Sequence, residues 1–86
     1  MFVIMSYDIS EQRVVKARKI AKKYLMSVQR SLFQGYLTEK QLEKLKTELS
    51  QLIIPESDKV VFYKACNDST LQIDEIGIVN DFDMIL

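Results

Sequence analysis

Two stretches with helical spacing, set among four or five short β-rich runs, predict an α+β domain in which two helices cover one face of a mixed, mostly antiparallel sheet. Three observations carry that expectation. Strands and helices alternate in the first half of the chain, and strands dominate the second. The 86 residues are enough for one hydrophobic core, so a single domain over 1–86 is expected, near the size at which small folds lean on a second copy. With 48% hydrophobic and 28% charged residues but only two glycines and one proline, the composition suits a compact domain without linkers.

The first strand runs from about Phe2 to Asp8, with Ile4, Ser6 and Asp8 on one face and Val3, Met5 and Tyr7 on the other. Both faces are mostly apolar, as in a central strand. Ser10 is placed to cap a helix over about Glu11 to Leu25, whose apolar side repeats through Val14, Ala17, Ile20, Ala21 and Tyr24. From Ser27 to Leu37 the period shortens to two, which reads as strand broken near Arg30. Thr38 to Gln41 forms a capping box ahead of Leu42, Leu45, Leu49 and Leu52, giving a second helix from Glu39 to about Leu52. Pro55 ends it, because the residue before a proline disfavours helix.

Asp58 to Ala65 is β-branched and aromatic enough for another buried strand, and Asn67 to Ser69 reads as a turn. Leu71, Ile73, Ile76 and Ile78 then form a weaker strand with a bulge at Asp74 and Glu75, before an apolar tail ending in Met84, Ile85 and Leu86. A ferredoxin-like sandwich fits this count of elements best.

The absence of histidine and the single Cys66 exclude the usual zinc sites, an intrachain disulfide, and Ser-His-Asp or Cys-His catalysis. No run is long enough to span a bilayer, and Met1 to Ile9 lacks the features of a signal peptide, so the cytoplasm is expected. The net charge is zero but polarised: ten Lys/Arg against four acids from Met1 to Lys46, and two against eight from Thr47 to Leu86. A chain of this kind can present a basic face to phosphates. Arg13, Lys16, Arg18, Lys19, Lys22 and Lys23 on the first helix, followed by Arg30, are the candidate phosphate contacts, making salt-sensitive and sequence-independent interactions.

Asp8 is the strongest candidate for chemistry. A carboxylate closing an apolar strand is costly to desolvate unless donors or a cation meet it. The structural alternative is an acid that accepts backbone hydrogen bonds at the start of the first helix.

The segments Tyr7, Asp8, Ile9, Ser10 and Val28, Gln29, Arg30, Ser31, Leu32, Phe33, Gln34, Gly35, followed by Leu37 and Thr38, resemble the small CRISPR-associated spacer-acquisition proteins of the Cas-two family. The resemblance implies a ferredoxin-like fold in which Ser27 to Leu37 holds a short second strand and a longer third. It also implies a homodimer with facing sheets, the two copies of Asp8 meeting across the two-fold axis, and a C-terminal tail over 79–86 pairing with the other protomer. Members of the family are described as divalent-metal-dependent endonucleases on RNA or duplex DNA, and as the central dimer of an integrase complex with a larger subunit. The expected cofactor is therefore Mg²⁺ or Mn²⁺, held by Asp8 as catalytic residue and metal ligand. The chain departs from the family pattern at Tyr24 to Met26, where a glycine is usual, at Ser27 and at Arg30, so Ser27 is not carried over as a functional site.

Tyr7, Ser31 and Phe33 lie in the matching segments. Strand spacing assigns Tyr7 to the core and Phe33 to packing at the dimer interface, and Ser31 to a turn hydrogen bond. The alternative reading from the residues is a non-catalytic ferredoxin-like domain for regulation or protein interaction, with no nucleic-acid partner.

Overall fold

Strand β1 (Phe2–Asp8) is buried on alternate residues, and its Val3, Met5 and Tyr7 side chains start the core. The computed structural model describes residues 1–65 and 71–77. After β1 come α1 (Glu11–Lys22), β2 (Met26–Gln29), β3 (Leu32–Tyr36), α2 (Glu39–Leu52), β4 (Lys59–Ala65) and β5 (Leu71–Gly77). The strands form one sheet in the order β2-β3-β1-β4-β5, with every neighbouring pair antiparallel. This is the expected α+β sandwich with β1 at its centre, and β5 adds a fifth strand beside β4.

Both helices lie on one face of the sheet. Their contribution to the core is Ala17 and Ala21 from α1 and Leu42, Leu45 and Leu49 from α2, packed on Val3, Met5, Phe33, Val60 and Phe62. The alanines of α1 and the leucines of α2 together fill the space between the helices and the sheet. Thr38 and Gln41 exchange the two reciprocal bonds of a capping box, as the sequence predicts.

Among the described residues, the other face carries no helix. There Phe2 meets Tyr36 edge to face at 5.2 Å between ring centroids. The cross-strand row Gln34, Ile4, Tyr63, Ile73 runs over four strands, with Leu71 beside Ala65 at one side. Tyr36, Leu71 and Ile73 are 80%, 60% and 55% exposed, so a large apolar surface faces outward.

Four local expectations are corrected. Helix α1 stops at Lys22 rather than near Leu25, because its end tightens through bonds from Lys23 to Ile20 and from Tyr24 to Ala21, freeing Leu25 to turn into the core. Ser10 does sit at the N-cap, but its side chain makes no capping bond. Strand β5 is not bulged, since its register with β4 is continuous from Leu71 to Gly77; Asp74 simply points inward to Lys46 and Lys64, at 2.5 and 2.8 Å. The register shift falls instead in β2, between Ser27 and Gln29. Phe33 does pack, as its spacing implies, but it is fully buried on the helix side of the sheet rather than set at a dimer interface. The expected turn at Asn67 to Ser69 and the tail over 79–86 lie outside the described residues.

Candidate active site

The end of β1, the start of α1 and the hairpin between β2 and β3 surround a cleft of about 740 Å³. Asp8, Arg18 and Arg30 contribute charge to its lining, Ser27, Gln29 and Ser31 contribute neutral polar groups, and Ile9 and Val14 form an apolar wall. The hairpin is tied down from behind. The Tyr7 hydroxyl donates to the Arg30 carbonyl at 2.7 Å, and Arg18 donates to both the Tyr7 oxygen and that carbonyl, at 2.8 and 2.9 Å. The Arg18 guanidinium also lies 5.5 Å from the centre of the Phe33 ring. The Tyr7 amide donates to the Ser31 carbonyl at 3.3 Å, a bond across to β1 rather than the one within the turn expected of Ser31.

Asp8 projects from the open face of β1 and is exposed. Its cross-strand neighbour Lys59 turns to Glu75 at 3.4 Å, and Asp8 itself makes no hydrogen bond or ion pair among the described residues. The role of backbone acceptor at the first helix belongs to another acid. Asp58 is fully buried and accepts from the Ser10 amide at 2.9 Å and the Ile54 amide at 2.9 Å, and from Arg13 through Nε at 2.6 Å and Nη2 at 3.0 Å. The Arg13 hydrogen bonds, aided by the Ile54 and Ser10 amides, hold the Asp58 carboxyl well below the usual carboxylate range against the opposing effect of burial. The structural alternative considered for Asp8 is therefore filled by Asp58, from 48 residues away.

The candidate phosphate contacts divide into three groups. Arg13 is bound to Asp58, and Arg18 anchors the hairpin, with its guanidinium at the cleft wall. Lys23 pairs with Glu48, which also accepts from Tyr24; both bonds lower the Glu48 pKa. Lys16, Lys19 and Lys22 are exposed on α1 without ion pairs among the described residues, and Arg30 is exposed at the cleft. In the sequence Asp58 reads only as the start of a strand. An acid with one residue between it and the Val60, Val61 run is the available signal, but its partner Arg13 is too far along the chain to be read locally.

Asp8 offers a hard oxygen donor suited to Mg²⁺ or Mn²⁺. Among the described residues no group of three or more His, Cys, Asp or Glu side chains gathers to hold a metal, and Asp8 is the one carboxylate lining the cleft. That fits a cation shared with a second copy, with water or with a substrate phosphate. No helix among the described residues is long and apolar enough to cross a membrane.

These features define a small ferredoxin-like protein with an unpaired acid at a cleft and a basic helix beside it. The family described as CRISPR associated protein Cas2 matches residues 1–73, and the chain belongs to that family. It is 44% identical to a CRISPR-associated endoribonuclease Cas2 of Thermotoga maritima, over 91% of this chain and 90% of the relative. It is 47% identical to a protein of the same description from Thermodesulfovibrio yellowstonii, over 90% of this chain and 88% of that one. Among solved structures, Streptococcus pyogenes Cas2 superposes with a TM-score of 0.71 at 26% identity, covering 79% of this chain and 89% of the other.

Proposed function

We propose that this protein is a metal-dependent endoribonuclease of CRISPR adaptation that works as a homodimer and uses Asp8 as its metal ligand. The observation that carries the reading is the unpaired, exposed Asp8 carboxylate at the cleft, its structural role having passed to Asp58. Curated relatives bearing the endoribonuclease description support it. A bound Mg²⁺ or Mn²⁺ would neutralise phosphate charge and acidify a water molecule. The chain's own part is to hold that cation at Asp8, to meet the phosphates with Arg30, and to offer Ser27, Gln29 and Ser31 as hydrogen-bonding groups along the cleft.

The apolar open face supports the homodimer. A single carboxylate per chain makes the second copy part of the site, since two-fold symmetry can bring both Asp8 side chains to one cation. The tail over 79–86 is proposed to pair with the other protomer.

A second role is favoured by Lys16, Lys19 and Lys22, which stand clear of the cleft lining on α1. They suit a grip on duplex DNA, by which the dimer would scaffold a larger integrase subunit during spacer acquisition. Combining Lys16→Glu with Lys19→Glu is expected to weaken duplex binding and make the log K against log salt slope shallower by roughly two. A filter-binding series across salt concentrations reads this directly.

The test of the principal reading is cleavage of labelled single-stranded RNA and duplex DNA by wild type and Asp8→Asn, with Mg²⁺, Mn²⁺ or chelator. Metal-dependent cutting that disappears in the variant while binding persists supports the nuclease. Salt-sensitive duplex binding without cutting leaves the scaffold, and neither binding nor cutting leaves a protein-interaction domain.

A further inference from the structure

The Asp8 side chain has no bond among the described residues to fix it, so its place is set by the backbone around it, and that backbone is held from a distance. Ser10, two residues on, donates its amide to Asp58, and Arg13 in the first turn of α1 forks onto the same carboxylate. Local capping does not duplicate this hold: the Ser10 hydroxyl reaches only Gln12, at 3.4 Å. Asp58 is itself fixed from other directions. The Ile54 amide binds it, and Gly77 at φ 105° packs so closely that a Cβ there would lie 2.0 Å from the Asp58 carbonyl oxygen. The next residue, Lys59, stands opposite Asp8 in the β1–β4 register.

We propose that Asp58 and Arg13 are positioning residues for the reaction at Asp8: the buried pair sets the turn from β1 into α1 and so fixes where the exposed carboxylate meets its cation. This rests on the reading of Asp8 as a metal ligand. It also gives Arg13 a different task from the phosphate contact expected of it. A misplacement of about 1 Å can cost roughly 10²-fold in rate, and loss of the pair removes two of the contacts that define the turn.

The experiment compares wild type, Asp58→Asn and Arg13→Lys as full-length protein, well below their melting temperatures. RNA cleavage supplies kcat and KM, and Mn²⁺-induced broadening of backbone amide signals maps cation binding independently of activity. Asp58→Asn is expected to lower kcat about 10²-fold with KM within a few-fold, and to weaken the broadening around Asp8. Arg13→Lys keeps the charge without the two-pronged fork and is expected to fall between. If Asp58→Asn does not fold, Arg13→Lys carries the test.

A folded Asp58→Asn variant with wild-type kcat and broadening overturns the proposal and leaves the pair a purely structural one. If wild type cuts nothing, the nuclease reading fails, but the Mn²⁺ profile still decides: broadening centred on Asp8 that Asp58→Asn weakens upholds positioning, and unchanged broadening overturns it. Mn²⁺ that leaves the surroundings of Asp8 untouched in wild type also overturns it.

Discussion

Asp8 closes β1, and Asp58 stands just before β4, the strand that pairs with β1 at the same end of the sheet. The two acids are spatial neighbours with opposite fates. Asp58 is fully buried among backbone amides and a guanidinium, where its charge is part of the fold. Asp8 is exposed and unbonded among the described residues, so it contributes little to folding and keeps its oxygen lone pairs for a ligand. Burial and donors, rather than residue type, separate a structural carboxylate from a chemical one.

The largest effect that sharpens this contrast is on activity. Asp8→Asn keeps the size and removes the proposed anionic ligand; cleavage is expected to fall at least about 10³-fold, equivalent to about 4 kcal/mol of barrier. Stability should stay within about 0.5 kcal/mol, as for other exposed substitutions. Single-turnover cleavage and a urea melt on one preparation check both halves, and a large stability loss would break the contrast.

Asp58→Ala should do the reverse at the level of folding. Removing one partner of a buried ion pair leaves the Arg13 guanidinium and two amides without their acceptor, and a loss of about 3 kcal/mol or more is expected from urea melts. Acid gives a milder version. The Asp58 carboxyl titrates below its ordinary value of 3.8, so the unfolded chain takes up the proton first. The stability it confers is complete above about pH 5 and is lost as the pH falls through the unfolded value and on toward the lowered folded one. Asp74 and Glu48 shift in the same direction, through Lys46 with Lys64 and through Lys23 with Tyr24. The urea midpoint of wild type should therefore drop between pH 5 and pH 3, and Asp58→Asn should flatten that drop.

What the sequence makes legible follows from the range of each interaction. The two helices, the break in the strand near Arg30 and the capping box at Thr38 are written in residues a few positions apart, and period and turn chemistry read them directly. Tyr7 and Asp8 are correctly sent to opposite faces of β1 because strand side chains alternate. The Asp58 pair joins positions 45 apart, and nothing near Arg13 separates an arginine aimed at a phosphate from one aimed at a carboxylate. Asp74 misled for a related reason: an acid on the inner face breaks the apolar alternation, and only the folded chain shows the two lysines that satisfy it. The acid at the candidate site was thus legible, while the framework holding it was not.

The smallest expected effects compare the starts of the two helices. At α2 the cap is local, since the Thr38 hydroxyl accepts from the Gln41 amide while the Gln41 side chain accepts from Thr38. Thr38→Ala should cost about 1 kcal/mol. At α1 the residue in the equivalent position, Ser10, lends only its backbone, and the acceptor comes from Asp58. Ser10→Ala leaves that amide in place and should cost no more than about 0.5 kcal/mol, although Ser10 looks the better N-cap by type. Chemical denaturation of the two alanine variants in parallel tests the difference. Equal losses would mean that the Ser10 hydroxyl does cap α1 in solution, so that the distant acid would share the hold on the turn beside Asp8 with a local cap.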